Sequence, residues 1–161
     1  MVIGIFGVSC TGKSSVAKEI EKRTNAKVFS GKDYLRGATN EEEAKKRFVD
    51  LLSSNEAEND FIVYVITEKE HLAFLPKNAI RIYMTADIET IKERFAKRMN
   101  GNLPPPVVEM IEKKHTLFDD EKYDMKIENV DLDISDIFDN ILDICRLKRH
   151  LLDEFIVEKC Y

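Results

Sequence analysis

Gly7-Val8-Ser9-Cys10-Thr11-Gly12-Lys13-Ser14 is the stretch whose residue types and spacing could do chemistry. It has the pattern G-x-x-x-x-G-K-[ST]. The apolar run Val2-Ile3-Gly4-Ile5-Phe6 precedes it, and Ser15-Val16-Ala17-Lys18-Glu19-Ile20, a good helix start, follows it. Strand, glycine loop and helix in that order form the context a phosphate-binding loop requires. Successive backbone N–H groups curl around phosphate oxygens, and the helix N-terminus adds partial positive charge. Glycine at 7 and 12 permits dihedrals and a close approach that a Cβ would block. Gly7, Ser9, Cys10, Thr11, Gly12, Lys13, Ser14 and Ser15 are therefore the expected nucleotide-binding residues of the loop. Lys13 can reach the outer phosphates, and the Ser14 hydroxyl can ligate Mg²⁺. Cys10 is expected to turn its side chain away from the phosphates.

Two further groups could act on a phosphoryl group. Asp33-Tyr34-Leu35-Arg36 follows the second expected strand, on the sheet edge that carries the phosphate loop. Asp33 could accept a proton from a substrate hydroxyl, ligate Mg²⁺ through water, or only cap a helix. Arg36 could hold a substrate phosphate by paired hydrogen bonds, or be solvated. Arg94 and Arg98 are spaced i, i+4 and share a helix face just before Asn100-Gly101-Asn102-Leu103-Pro104-Pro105-Pro106. A guanidinium pair beside such a loop suits a lid that closes on the transferring group and excludes water. A solvated basic face is the alternative, since Lys92 and Lys97 are close by. The run Phe61–Ile66 ends in Thr67-Glu68-Lys69-Glu70 without an internal aspartate, which leaves Glu68 or Asp33 as the carboxylate near Mg²⁺. His71, His115 and His150 share no metal-ligand spacing and read as surface histidines.

The elements that must position these residues alternate. Val2–Phe6, Lys27–Phe29, Phe61–Ile66, Ala79–Met84 and Met125–Asn129 read as strands, the continuous apolar ones as strands covered on both faces. Helices are expected over Lys13–Arg23, over Glu41–Ser53 with Asn40 as N-cap, over Glu68–Leu75, and from the cap Asp87 to Met99. Others follow over Val107–Phe118 and from a Ser135 cap into a long amphipathic helix that could break near His150. Ala44, Phe48, Leu51 and Leu52 give the Glu41 helix its apolar stripe. Alternation of this kind predicts an α/β fold, a five-stranded parallel sheet between two helical layers. Residues 1–161 are expected to be one domain, with a lid segment at about 99–121 and a long C-terminal helix.

Composition sets the outer limits. Of 161 residues, 43% are apolar and 34% charged, ordinary for a soluble globular chain. A net charge of −5 argues against an extended nucleic-acid or anionic-membrane surface. Three cysteines without metal spacing point to a reducing compartment and a cytoplasmic location. The run Met1–Phe6 is too short for a signal peptide or a membrane span.

Two stretches resemble the nucleoside monophosphate kinase branch of the phosphate-loop (P-loop, Walker A) proteins, the guanylate, adenylate and cytidylate kinases. One is the glycine loop. The other runs from Arg81 to Ile141 and includes Ile82-Tyr83-Met84, Glu93-Arg94-Phe95-Ala96-Lys97-Arg98 and Tyr123-Asp124-Met125-Lys126-Ile127-Glu128-Asn129, similar in pattern to the guanylate kinase C-terminal half. The resemblance implies a three-layer P-loop NTPase fold, with ATP and Mg²⁺ as cofactors and a small-molecule or nucleotide acceptor. It implies that Arg94 and Arg98 clamp ATP phosphates and the transferred group, and that Asn129 and Asp131 lie against the adenine ring. Ser30-Gly31-Lys32-Asp33-Tyr34-Leu35-Arg36 is similar to the adenylate kinase segment that holds the acceptor nucleotide. It is also similar to the Asp-x-x-Arg of small-molecule and polynucleotide hydroxyl kinases. The guanylate kinase acceptor domain has no counterpart between Asp33 and Phe61, and Lys113 and Lys114 stand where that family supplies another arginine. The expected activity is transfer of the ATP γ-phosphoryl group to a nucleoside monophosphate. A hydroxyl acceptor and a nucleotide-binding switch without kinase activity are the alternatives.

Overall fold

The computed structural model describes residues 1–54, 61–128 and 133–158, with side chains up to residue 150. Its strands are β1 (Val2–Phe6), β2 (Lys27–Ser30), β3 (Ile62–Ile66), β4 (Ile80–Thr85) and β5 (Met125–Glu128). Its helices are α1 (Lys13–Arg23), α2 (Glu41–Ser54), α3 (Ile88–Arg98), α4 (Pro105–Lys114) and α5 (Ile134–Glu158), with 3-10 turns at Asp33–Leu35 and Lys69–Phe74. All strand pairs are parallel, and the spatial order is β2-β3-β1-β4-β5.

Every residue of β1 and β3 is buried, which is why these segments are continuously apolar. Alternate side chains of β1 enter opposite cores. Ile3 and Ile5 pack with Val16 and Ile20 of α1 and Ile137 and Ile141 of α5. Val2 and Phe6 face Phe48 and Leu52 of α2, together with Tyr64 and Phe118. The sheet therefore has helices on both sides. β1 lies between β3 and β4, where the chain crosses from one half of the sheet to the other. Ligands of open α/β sheets bind in the crevice at that switch point, and β1 delivers the glycine loop into it.

Several local expectations hold at atomic detail. Asn40 Oδ1 accepts from the Glu43 N–H at 3.1 Å, and Asp87 Oδ1 from the Thr90 N–H at 2.9 Å. Others are corrected. α4 starts at Pro105, whose missing N–H is harmless at a helix start, and stops at Lys114 instead of Phe118. Asp133, not Ser135, serves the start of α5, its carboxylate accepting from the Ser135 N–H at 2.9 Å. The Ser135 hydroxyl instead accepts from Arg23 at 2.9 Å. α5 runs unbroken past His150 to Glu158. Leu51 is exposed, leaving Ala44, Phe48 and Leu52 as the buried stripe of α2. Among the described residues no helix is long and apolar enough to cross a membrane.

Candidate active site

The glycine loop is fixed at both ends by backbone. The Gly7 N–H donates to the Ile66 carbonyl at the end of β3, at 3.2 Å. Gly7 has φ +150°, and a Cβ there would lie 2.0 Å from the Met84 carbonyl oxygen of β4. Only glycine fits between the two strands. Cys10 takes a left-handed conformation at φ 66°, as does Gly12 at φ 93°. The Cys10 side chain packs with Ala86, Ile91 and Ile111, and burial pushes its thiol pKa up. No side chain caps the N-terminus of α1, which leaves that end to an anion. Ser14 and Ser15 are exposed on its first turn.

Three side chains bring cations and a hydroxyl onto the loop. Lys13 Nζ donates to the Val8 carbonyl at 2.5 Å and lies 3.5 Å from Thr11 Oγ1. Thr11 Oγ1 donates to the same carbonyl at 3.0 Å. Arg94 Nη1 of α3 donates to the Cys10 carbonyl at 2.9 Å, so this arginine is docked on the loop. Lys13 is only 5% exposed. Burial, with the Arg98 charge as a smaller cause, pulls its pKa down to about 8.

That value sets a pH dependence. A phosphate bound at the loop would raise the Lys13 pKa, so above the free value nucleotide would bind only with uptake of a proton. ATP affinity is expected to be level below about pH 8 and to fall by up to about tenfold per unit above it. Calorimetric titration from about pH 7 to about pH 9.5 measures this. A level profile throughout would remove Lys13 as the titrating group.

Three hollows surround the loop's edge of the sheet. One of about 400 Å³ runs along Cys10, Gly12 and Ser15 to Arg94, Arg98 and Ile137. It adjoins the start of α5, and Asn129 and Asp131, the expected adenine contacts, lie outside the described residues. The second, about 200 Å³, opens between the end of β3 and helices α3 and α4, with Val8, Ser9, Thr67, Glu68, Phe95 and Lys114 on its walls. The third, about 300 Å³, lies between β2 and α2, where Phe29, Tyr34 and Phe48 form a floor and Asp33, Arg36 and Arg47 a rim. Tyr34 and Phe48 stack with ring centroids 5.5 Å apart, and Phe29 meets Phe48 edge-on at 5.2 Å.

Both oxygens of Asp33 have partners: Oδ2 accepts from the Ser30 N–H at 2.8 Å and Oδ1 from Arg36 at 3.0 Å. Glu68 Oε2 stands 3.9 Å from Lys32 Nζ and 3.8 Å from His71 Nε2. His71 is a correction: it is buried against Tyr34, Tyr64 and Phe74, and burial lowers its pKa. His115 is half-buried, its Nε2 3.1 Å from the Ala86 carbonyl. Among the described residues no three His, Cys, Asp or Glu side chains gather as a metal cluster. Arg47, Phe29 and Phe48 were not singled out as site residues from the sequence. Arg47 and Phe48 read there only as parts of an amphipathic helix, and nothing local marks the hollow they share with Phe29.

No protein-family model matches the chain, and no curated protein matches it by sequence. Solved structures do. YorR protein from Bacillus subtilis, in complex with phosphorylated GDP, is 19% identical with a TM-score of 0.66, covering 93% of this chain and 98% of its own. Shikimate kinase from Acinetobacter baumannii, in complex with shikimate, is 17% identical with a TM-score of 0.61, covering 89% and 92%. Deoxyadenosine kinase from M. mycoides, with products dCMP and dCDP bound, is 17% identical with a TM-score of 0.52, covering 91% and 98%. The fold is that of the phosphate-loop kinases, an α/β sheet of five parallel strands flanked by helices.

Proposed function

We propose that the chain is an ATP-dependent phosphotransferase and that its acceptor is a nucleoside monophosphate. The observation that carries the first part is convergence. Lys13 from α1 and Arg94 from α3 bond to carbonyls of one glycine loop whose helix end is uncapped by side chains. Phosphoryl transfer needs chiefly positioning and charge stabilisation, and such a cradle supplies both. Gly7, Gly12 and the backbone from Ser9 to Ser15 would hold the ATP phosphates. Lys13, Arg94 and Arg98 would neutralise charge on the transferring group, with residues 99–121 as the lid.

A bound magnesium ion would supply positive charge to the nucleotide phosphates. It is held in such sites mainly by phosphates and water with one or two protein oxygens. The exposed Ser14 hydroxyl and one nearby carboxylate fit that need. Glu68, on the wall beside Val8 and Ser9, is the better placed carboxylate, because Arg36 and the Ser30 N–H engage Asp33.

The acceptor reading rests on the hollow between β2 and α2. An aromatic floor with Arg36 and Arg47 on its rim suits a flat base carrying an anionic group. A hydroxyl acceptor is the second reading, because Asp33 borders the same hollow and could act as a base. A screen of nucleoside monophosphates, nucleosides and polyols with coupled ADP detection identifies the acceptor. On a monophosphate, Arg36→Ala is expected to lower kcat/KM by about ten- to a hundredfold, the weight of a charge-assisted bond. Asp33→Asn should cost much less. The reverse pattern, a rate loss on the order of 10²–10⁴ in Asp33→Asn with Arg36→Ala nearly silent, would make the chain a hydroxyl kinase. ADP release indifferent to every acceptor would leave a nucleotide-binding switch.

A further inference from the structure

At the other edge of the sheet, beside the start of β4, lies an open cleft of about 630 Å³ that the proposed phosphoryl chemistry does not use. Its cations come from four separate places: Lys77 before β4, Arg81 within it, Lys122 ahead of β5, and Lys148 on α5. They are far apart in sequence or on different elements, so the fold brings them together. A charge run along one helix face would not do this.

The carboxylates of the cleft are mostly engaged. Asp124 Oδ2 accepts from Lys148 Nζ at 2.8 Å and from the Arg81 backbone N–H at 2.7 Å. Glu121 pairs with Lys69 at 3.0 Å. Lys148 Nζ also donates to the Ala79 carbonyl at 3.2 Å, which fixes the ammonium in the wall. Lys77, the Arg81 guanidinium and Lys122 make no ion pair among the described residues, and Asp120 is the remaining carboxylate against them. Local positive charge of this kind stands out on a chain whose net charge is −5. Tyr123, 47% exposed and in ring contact with Tyr83 at 6.0 Å, adds a fixed aromatic face beside the cations.

We propose that this cleft is a second anion site, which binds a small phosphate-bearing metabolite through Arg81, Lys122 and Lys77. The arginine fork matches a phosphate in two hydrogen bonds, and the lysines add point charges. The proposal does not depend on the kinase reading.

Inorganic pyrophosphate is the probe, titrated calorimetrically into the full chain at low salt, where charge contacts are least screened. Two binding events are expected. Lys13→Ala should weaken the one at the glycine loop and leave the other. Arg81→Gln combined with Lys122→Gln should weaken the other by about tenfold or more and leave the first. Lys77→Gln alone, at an exposed position, should weaken it by about two- to fivefold and guards against a misfolded double variant. A single event that Lys13→Ala removes, or a second event indifferent to both sets of cleft substitutions, overturns the proposal. Failure of the glycine-loop reading looks different: Lys13→Ala would then alter neither event.

Discussion

Lys13→Ala is expected to lower turnover by a factor on the order of 10³, the scale of removing a preorganised charge from a transferring phosphoryl group. The fold should not suffer. Among the described residues the buried ammonium is held by the Val8 carbonyl at 2.5 Å and Thr11 Oγ1 at 3.5 Å, and burial has already pulled its pKa down to about 8. A charge in that setting is a burden on the unliganded protein that only phosphate relieves. The variant should therefore melt no lower than the parent without nucleotide, and lose most of the upward shift that ATP gives the parent. Coupled ADP detection with thermal melting, with and without ATP, measures both. Near-native turnover would remove Lys13 from the chemistry, and a much lower melting point without nucleotide would make its role structural.

Gly7→Ala should damage both stability and nucleotide binding. The new Cβ would stand 2.0 Å from the Met84 carbonyl, a backbone atom of the adjacent strand that no rotamer change can move. The φ of +150° is also one that alanine adopts only under strain. Together these are expected to cost about 3 kcal/mol or more, which lowers the melting temperature by roughly 6–12 °C in a chain of this size. Because the clash sits at the root of the loop, it would move the N–H groups that hold phosphate, and ATP affinity should fall with stability. Gly37→Ala, outside the glycine loop and the proposed lid, is the control. Its φ is +75° but its Cβ would meet nothing within 4 Å, so strain alone acts, about 1 kcal/mol, without loss of ATP affinity. Equal effects of the two substitutions would mean that the contact with Met84 does not matter.

Much of this protein was legible in its residues because the governing interactions are short-range. The glycine loop is a backbone device, and its spacing from Gly7 to Ser14 is its geometry. Continuous burial of Val2–Phe6 and Ile62–Ile66 writes itself as continuous apolar sequence. Asn40 and Asp87 cap helices by bonds to residues three positions on.

Failures began where two nearby residues competed for one role. Asp133 and Ser135 both suit a helix start, and the site of the cap was decided by Arg23, which takes the Ser135 hydroxyl from across the packed helices. His71 read as a surface residue because it shares no metal-ligand spacing with His115 or His150, yet Tyr34, Tyr64 and Phe74 close over it.

The order β2-β3-β1-β4-β5 could not be read from alternation alone, because alternation fixes which segments are strands and not which strands pair. That order brings β4 against β1 and makes glycine at position 7 obligatory. Folding also docks Arg94 on the Cys10 carbonyl and joins Arg47 to the hollow of Phe29 and Tyr34. Each of these depends on side chains delivered by separate elements, and their meeting is set by strand register and helix packing. The sequence by itself determined the glycine loop, since the chain folds that loop from its own consecutive backbone groups. Only the tertiary structure decided what faces it, since those groups come from distant positions whose proximity no local pattern encodes.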